Sequence, residues 1–562
     1  MIADAIKGQI SHVLESLGYG GTIFVVEHPA EMTHGDYSTN AALLVAKEAG
    51  GDPRELAKRL VSEISKALPE EIDKVEVADA GFINFFLSRK FFTDSLKTTL
   101  EQGEKFGKTA SLVGKKAMVE YTDPNPFKEF HIGHLMSNTI GEAISRLVEW
   151  SGAEVRRACY QGDVGIHVAK AVAEKLSSGA EWSASADVAR SYTEGSRKYE
   201  EDVSFREFAN EVNRKIYAGG DRDVHGAYDL GKKLTLEHFE KMYKTLGTKF
   251  DFYFFESRSA PFGKKLVEER IGDIFEESDG AIVFRGERHD AKLHTRVFLT
   301  KDKLPTYEAK ELGLAKIKYD LYPYDLSIVI TGNEVSDYFK VVLKAMELVF
   351  PDLAKKTNHI SHGMLRLPTG KMSSRTGEVV SAEWLIEEAK RKVNEKIEAS
   401  DREIADKNAL AEQVAVAAIK YSILKQSPGK DIIFDFDKSL SFEGDSGPYL
   451  QYTHARANSI LEKANEASIS PSAGDNFPET EMERLLYRFP EIVERAEKEF
   501  APNIVVTFLV ELAGSFNHFY AQEQIVDVGD KNSPHKVALS VAVRNVLKNG
   551  LKILGISAPE RM

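Results

Sequence analysis

Cysteine is almost absent: Cys159 is the only one in 562 residues. That excludes a disulfide framework and any cysteine-based zinc site, and it fits a reducing compartment. Long apolar runs are missing too. No stretch reads as a signal peptide or reaches membrane-spanning length, so the expectation is a soluble cytoplasmic protein with no membrane partner. Internal repeats and low-complexity tracts are also missing, which excludes repeat architectures and a disordered chain. Positive charge is in deficit, with a net charge of −13. This argues mildly against nucleic acid, whose phosphates are met by Lys and Arg. A local basic face is nevertheless sufficient in a large protein. What is present, 42% hydrophobic and 10% aromatic residues, is enough for several cores, and the length predicts three or four domains.

Residues 1–112 read as an N-terminal α/β domain. Ile2, Ile6, Ile10, Val13 and Leu17 share one face of a first helix, a second helix covers 53–67, and strands run through 74–78 and 81–87. A parallel-sheet domain of Rossmann type is expected over 113–380. The strand 117–121 leads through a loop with Asp123-Pro124-Asn125-Pro126 into a helix on which Leu135, Ile140, Ile144, Leu147 and Val148 recur at helical spacing. Val155–Tyr160 is the next strand, which completes a βαβ unit whose loop sits where such sheets bind ligands. About 175–270 reads as a helical insertion. The sheet resumes at 326–330, followed by a helix over 335–349 and a strand near 359–364. A helical connection over 381–445 and an α-helical domain over 446–562 follow, with Gly444–Pro448 as a hinge.

Two motifs carry chemistry. His131-Ile132-Gly133-His134 sets two imidazoles around a glycine at a strand-to-helix turn, a donor-rich surface for a phosphate. Lys371-Met372-Ser373-Ser374-Arg375, between Gly370 and Gly377, forms a lysine-tipped loop that can close over the same phosphates. Either alone is a weak signal; both in this order are specific to an ATP-adenylating site. Histidines at i, i+3 can also ligate a metal, but no third ligand stands nearby. A Lys-Ser-rich turn can be merely solvated, and Lys128 alone would be an ordinary surface lysine. Beside a phosphate site Lys128 becomes a third cation. Glu120, Asn125, Tyr307, Glu311 and Glu334 offer negative charge and planar acceptors, which suit a guanidinium or ammonium substrate. Singly, each is an ordinary surface or capping group.

With these residues in hand, the chain resembles the class I aminoacyl-tRNA synthetases, and within them the arginyl-tRNA synthetases, over nearly its whole length. Gly35–Asn40 and Gly81–Phe86 look like that family's N-terminal domain, which contacts the outer corner of tRNA. Pro124-Asn125 and Lys128–Leu135 look like its signature, and Gly447–Arg456 with Ala558–Met562 look like its anticodon-binding domain.

The resemblance implies ATP-dependent activation of arginine and transfer to the 2′-hydroxyl of the terminal adenosine of tRNA. It implies ATP as substrate, Mg²⁺ with it, no zinc and no protein-held metal, and a monomer. His131, His134, Lys128 and Lys371 would be catalytic. Gly133, Gly141, Gly332, Glu334, Met364, Leu365, Met372 and Ser373 would bind ATP. Glu120, Asn125, Tyr307 and Glu311 would hold arginine, and Asn84, Gln451, Tyr452 and Arg456 would touch tRNA. Three positions depart from the family pattern. Ser374 replaces the loop's second lysine, for which Lys128 compensates; Glu311 stands where an aspartate is common; Glu334 stands where glutamine is often found, with its role in arginine or ribose binding open. An enzyme for another amino acid, a non-catalytic tRNA-binding paralogue and a small-molecule nucleotidyltransferase are the rival readings.

Overall fold

The computed structural model describes residues 2–78, 80–368, 380–399 and 404–562. The expected site residues Lys371, Met372 and Ser373 lie outside the described residues.

Four helices, Ile2–Ser16, Ala41–Ala49, Pro53–Ile64 and Arg89–Gln102, pack with an antiparallel sheet at the N-terminus. Its strands are β1 (Val26–Glu27), β2 (Tyr37–Thr39), β3 (Ile72–Val77) and β4 (Ile83–Leu87), in the order β1-β2-β4-β3. Asp52 caps its helix by accepting from the Arg54 N–H, with Pro53 in the first turn. The helix predicted over 53–67 ends at Ile64 and continues as a 3₁₀ turn, Ser65–Ala67. This unit is tied to the C-terminal helices. Buried Asp36 accepts from the Leu87 N–H at 2.9 Å and pairs with Arg484 at 3.2 Å, and the Tyr37 hydroxyl donates to Glu491 at 2.6 Å.

The central sheet is parallel throughout. It contains β5 (Lys116–Glu120), β6 (Glu154–Gln161) and β7 (Phe252–Phe255). A small antiparallel sheet of β8 (Glu276–Ser278), β9 (Ala281–Arg285) and β10 (Thr295–Leu299) intervenes before β11 (Leu326–Gly332) and β12 (Thr357–His362). The five parallel strands run in the order β12-β11-β5-β6-β7. Strand order therefore reverses between β5 and β11, and the crevice beyond their carboxyl ends is the switch point at which such sheets take ligands. Ala117, Met118 and Val119 are buried, as a strand covered on both faces requires.

One expectation is corrected here. The helical insertion ends sooner than 270, because Phe252–Phe255 is the sheet's edge strand, paired in parallel with Ala158–Gln161. The insertion's helices Ser185–Glu201, Val203–Ala218 and Arg222–Leu246 gather Val168, Val172, Val188, Phe205 and Val212 into a core of their own. Gly447, within the expected hinge, opens the helix Gly447–Glu466, capped by Ser446, and a Cβ there would fall 2.4 Å from the Ala417 carbonyl oxygen.

One apolar core runs from Leu96 to Ile556 through the β5–β6 helix, the connecting helices Ala382–Glu398 and Lys407–Leu424, and the C-terminal helices. The helix Pro502–Gln522 is long and apolar enough to cross a membrane by length and composition, contrary to the sequence expectation. Its Val505, Val506, Leu509, Leu512 and Phe516 are packed in that core.

Candidate active site

The loop leaving β5 is strained where it meets the crevice. Thr122, Asp123 and Phe127 have φ of 79°, 45° and 72°, each at a cost of about 1–3 kcal/mol. The surroundings hold it there. The Thr122 N–H donates to Ser137 Oγ at 2.9 Å, Asn138 Nδ2 donates to Thr122 Oγ1 at 3.0 Å, and Phe127 is wholly buried.

The loop ends on His131, the N-cap of the helix Ile132–Trp150. His131 Nδ1 accepts from the Gly133 N–H at 3.1 Å, and His134 Nδ1 accepts from the His131 N–H at 3.2 Å. The rings stack at 3.6 Å. A Cβ on Gly133 would lie 3.0 Å from the His131 ring, so glycine is what lets the ring fold back. Burial, then Lys128, pushes His131 down to about 4. Burial, then the neighbouring His131 and Lys128, pushes His134 well below the imidazole range. Both rings are therefore neutral near pH 7, and with Nδ1 accepting in each the proton is on Nε2. The helix N-terminus thus carries two fixed Nε2–H donors besides its own amides. Lys128 is half-buried, with its ammonium 5.3 Å from the ring centre of Tyr192 on the insertion.

Behind the histidines lies an acidic pocket. Glu120 at the end of β5 is 2% exposed, and its Oε2 accepts from Lys318 Nζ at 2.7 Å. Glu256 is buried and pairs with Lys310 at 2.6 Å. Asp123 accepts from the Tyr160 N–H at 2.7 Å, and burial followed by Glu120 pushes its carboxyl well up. Glu311 is pushed up to about 8, first by burial and then by Glu120. Four carboxylates thus converge with two ammonium groups, which leaves Asp123 and Glu311 without one among the described residues, a surplus that favours a cationic substrate.

The other expected residues fall in several places. Asn125 accepts from the Gly162 N–H at 3.2 Å beside Glu256, and Tyr307 stands exposed at the rim with Lys310 5.1 Å from its ring centre. Gly332 ends β11 with the Glu334 carboxylate folded over it. Met364 donates its N–H to Asp431 at 2.9 Å, and buried Leu365 pairs with Ile432. Gly141 departs from expectation. It is buried deeper in the helix, where a Cβ would fall 2.2 Å from Tyr121 Cγ, so its contact is packing. The backbone after the second motif returns to the first: the Ile132 N–H donates to the Val380 carbonyl at 3.3 Å, and the Ala382 N–H to that of Phe130 at 2.9 Å.

A second cleft, about 820 Å³, opens in the C-terminal region among Tyr452, Arg456, Lys463, Tyr520, Arg561 and Met562. The Arg456 guanidinium is sandwiched 4.8 Å from Tyr452 and 4.9 Å from Tyr520, and donates to Asn517. Gln451, expected to touch RNA, is instead wholly buried: its amide donates to the Ser557 carbonyl at 2.8 Å and straps down the C-terminal tail. Asn84 is also buried, accepting from the Ser38 hydroxyl at 2.8 Å.

Sequence reasoning missed Asp123, Glu256, Lys310 and Lys318. One signal was available: Glu311 and Lys318, seven apart on the helix Tyr307–Leu321, share a face. Glu256 gives no comparable local sign.

Comparison with known proteins gives three family matches. The model of the class I (R) tRNA synthetase catalytic domain matches residues 95–436, the arginyl tRNA synthetase N-terminal domain matches 4–87, and the DALR anticodon-binding domain matches 450–562. An arginine–tRNA ligase of Clostridium perfringens is 29% identical over 573 residues, covering 100% of this chain and 99% of that one. One from Fusobacterium nucleatum is 31% identical, covering 94% and 93%. The solved structure of Thermus thermophilus arginyl-tRNA synthetase superposes with a TM-score of 0.82 at 26% identity, over the whole of both chains.

Proposed function

Because this chain belongs to the class I arginyl-tRNA synthetases, we propose that it joins L-arginine to its tRNA at the expense of ATP, in two steps. The arginine carboxylate attacks the α-phosphorus of ATP; a carboxylate-oxygen-to-phosphorus bond forms as the bond to pyrophosphate breaks. The 2′-hydroxyl of the terminal adenosine then attacks the acyl carbon and AMP leaves.

Adenylate formation needs positioning and charge stabilisation more than a protein acid or base. His131 and His134 supply this by aiming their Nε2–H groups at the oxygens on which charge develops, without reorganising as they do so. Lys128 and Lys371 add positive charge. Gly332, Glu334 and the backbone at Met364–Leu365 border the nucleoside, and Glu311, Asp123, Asn125 and Tyr307 receive the amino acid. Mg²⁺ would be held mainly by the triphosphate oxygens, whose charge it would neutralise; among the described residues no cluster of three or more His, Cys, Asp or Glu side chains is placed to hold a metal. Tyr452 and Arg456 offer tRNA stacking surfaces and positive charge, which offset the acidic net charge locally. The protein acts as a cytoplasmic monomer in this reading.

The observation that carries the proposal is the pair of fixed Nε2–H donors at the switch point, next to a pocket with a surplus of carboxylates. Aminoacylation of unfractionated tRNA with radiolabelled amino acids tests it. Arginine is expected to enter acid-precipitable tRNA; labelling by another amino acid only would reject the substrate.

A further inference from the structure

We propose that Lys318 is a specificity-positioning residue: it neutralises and immobilises Glu120, so that Glu311 is left to receive a single substrate guanidinium. The proposal rests on the arginine reading and assigns one of its acidic residues a different task. Glu120 projects from the carboxyl end of β5, where Val329 of β11 is its ladder partner. Lys318 reaches it from the helix Tyr307–Leu321, with Nζ 2.7 Å from Oε2. The two side chains are 4% and 2% exposed.

Met118, Ala158, Leu314 and Tyr324 form the apolar cluster that β5, β6 and this helix enclose there. A charge in such a place persists only when paired. The same helix repeats the device on the other wall, where Lys310 clamps Glu256 at 2.6 Å. Glu311 stands between the two lysines in sequence and has no ammonium of its own among the described residues. The helix therefore cancels two carboxylates and offers a third. A substrate guanidinium would pair with Glu311, whose charge otherwise stays uncompensated in a crevice that Asp123 also faces.

Glu120 then acts through Lys318, and each needs the other. Removing only the carboxylate leaves a buried ammonium that repels arginine. Removing only the ammonium leaves Glu120 and Glu311 competing for one proton and one guanidinium. Removing both restores the count.

The test is a double-mutant cycle of Lys318→Met and Glu120→Gln, read by ATP–pyrophosphate exchange in the presence of tRNA, with the full chain. Each single change is expected to raise the arginine KM by ten-fold or more and leave the ATP KM unchanged. The double variant is expected to return to within about three-fold of the parent. Lys318→Arg, which keeps the charge, is expected to stay close to the parent in KM. A double variant at least as impaired as the product of the singles would overturn the proposal, because Glu120 would then bind substrate directly. So would a Lys318→Met protein with an unchanged KM. If Lys318→Met alone fails to fold, the double variant and Lys318→Arg decide by the same criteria. Were the parent to activate another amino acid, the arginine reading would fail separately, and the same cycle run with that amino acid would still decide whether Lys318 and Glu120 act as a unit.

Discussion

His134 accepts, through Nδ1, the backbone N–H of His131 at 3.2 Å, and this one bond fixes which nitrogen of the second imidazole faces the crevice. His131 turns its own Nδ1 to Gly133 in the same way. The helix cap and the phosphate site are thus one structure: the nitrogens that satisfy the helix start determine the donors left for ATP.

Substituting either histidine separates the two tasks. His134→Asn can keep an acceptor near the Nδ1 position but lacks a donor at Nε2. It is expected to lower kcat for exchange by roughly 10²–10³ with little change in arginine KM, the size typical of losing one preorganised donor. Steady-state exchange kinetics check this, and an unchanged kcat would remove His134 from the chemistry.

Acid should destabilise the protein in a defined window. His131, His167 and His359 are each pushed down to about 4, chiefly by burial. An unfolded imidazole titrates near pH 6.5, so between about 6.5 and about 4 the unfolded chain binds more protons than the folded one. Their contribution to stability is complete above that window and is lost as pH drops through it. Thermal melting from pH 7.5 to 4.5 should show a falling Tm, with a shallower slope in His131→Asn; a flat profile would contradict the buried neutral imidazoles.

Arginine recognition should carry a proton linkage. Glu311, pushed up to about 8, faces Glu120 and Asp123 from the β5 side, Glu256 from the helix Glu256–Glu268, Glu308 and Lys318 from its own helix, Tyr160 from β6 and Tyr338 from the helix Ser336–Val349. A guanidinium demands the ionised form, so below about pH 8 binding must expel a proton. The arginine KM is expected to fall by up to about ten-fold per pH unit as pH rises from about 6 to about 8. Glu311→Gln should raise KM and remove the slope. A KM independent of pH in the parent would show that Glu311 is already ionised or is not an acceptor.

The C-terminal cleft should account for much of the RNA affinity. Arg456 lies 4.8 Å and 4.9 Å from the ring centres of Tyr452 and Tyr520, and a stacked base is worth about 1–3 kcal/mol. Arg456→Ala is expected to weaken tRNA binding by ten-fold or more while arginine and ATP affinities stay as they were. Filter binding and calorimetry distinguish the two, and undiminished tRNA affinity would move the RNA contact elsewhere.

Legibility in the sequence followed the range of the interactions. The histidine pair was readable because its geometry is local: the two lie three positions apart, at the N-cap and in the first turn of one helix. The parallel sheet was readable from apolar runs at β5, β6 and β11. The edge strand Phe252–Phe255 was lost because a four-residue strand inside a polar, helix-rich region gives no period of its own. Gln451 was misassigned because only the fold shows that the tail at Ser557 covers that face of its helix. Lys318 and Glu120 are 198 positions apart, so no local pattern announces their bond. Glu311 was legible as an acceptor, but its lack of an ammonium partner among the described residues was visible only once Lys310 and Lys318 had been placed.

ATP–pyrophosphate exchange with each of the twenty amino acids, with and without tRNA, tests the central claim most directly. Exchange with arginine alone is predicted. Exchange with a different amino acid, or none from a folded sample that still binds tRNA, would contradict the account.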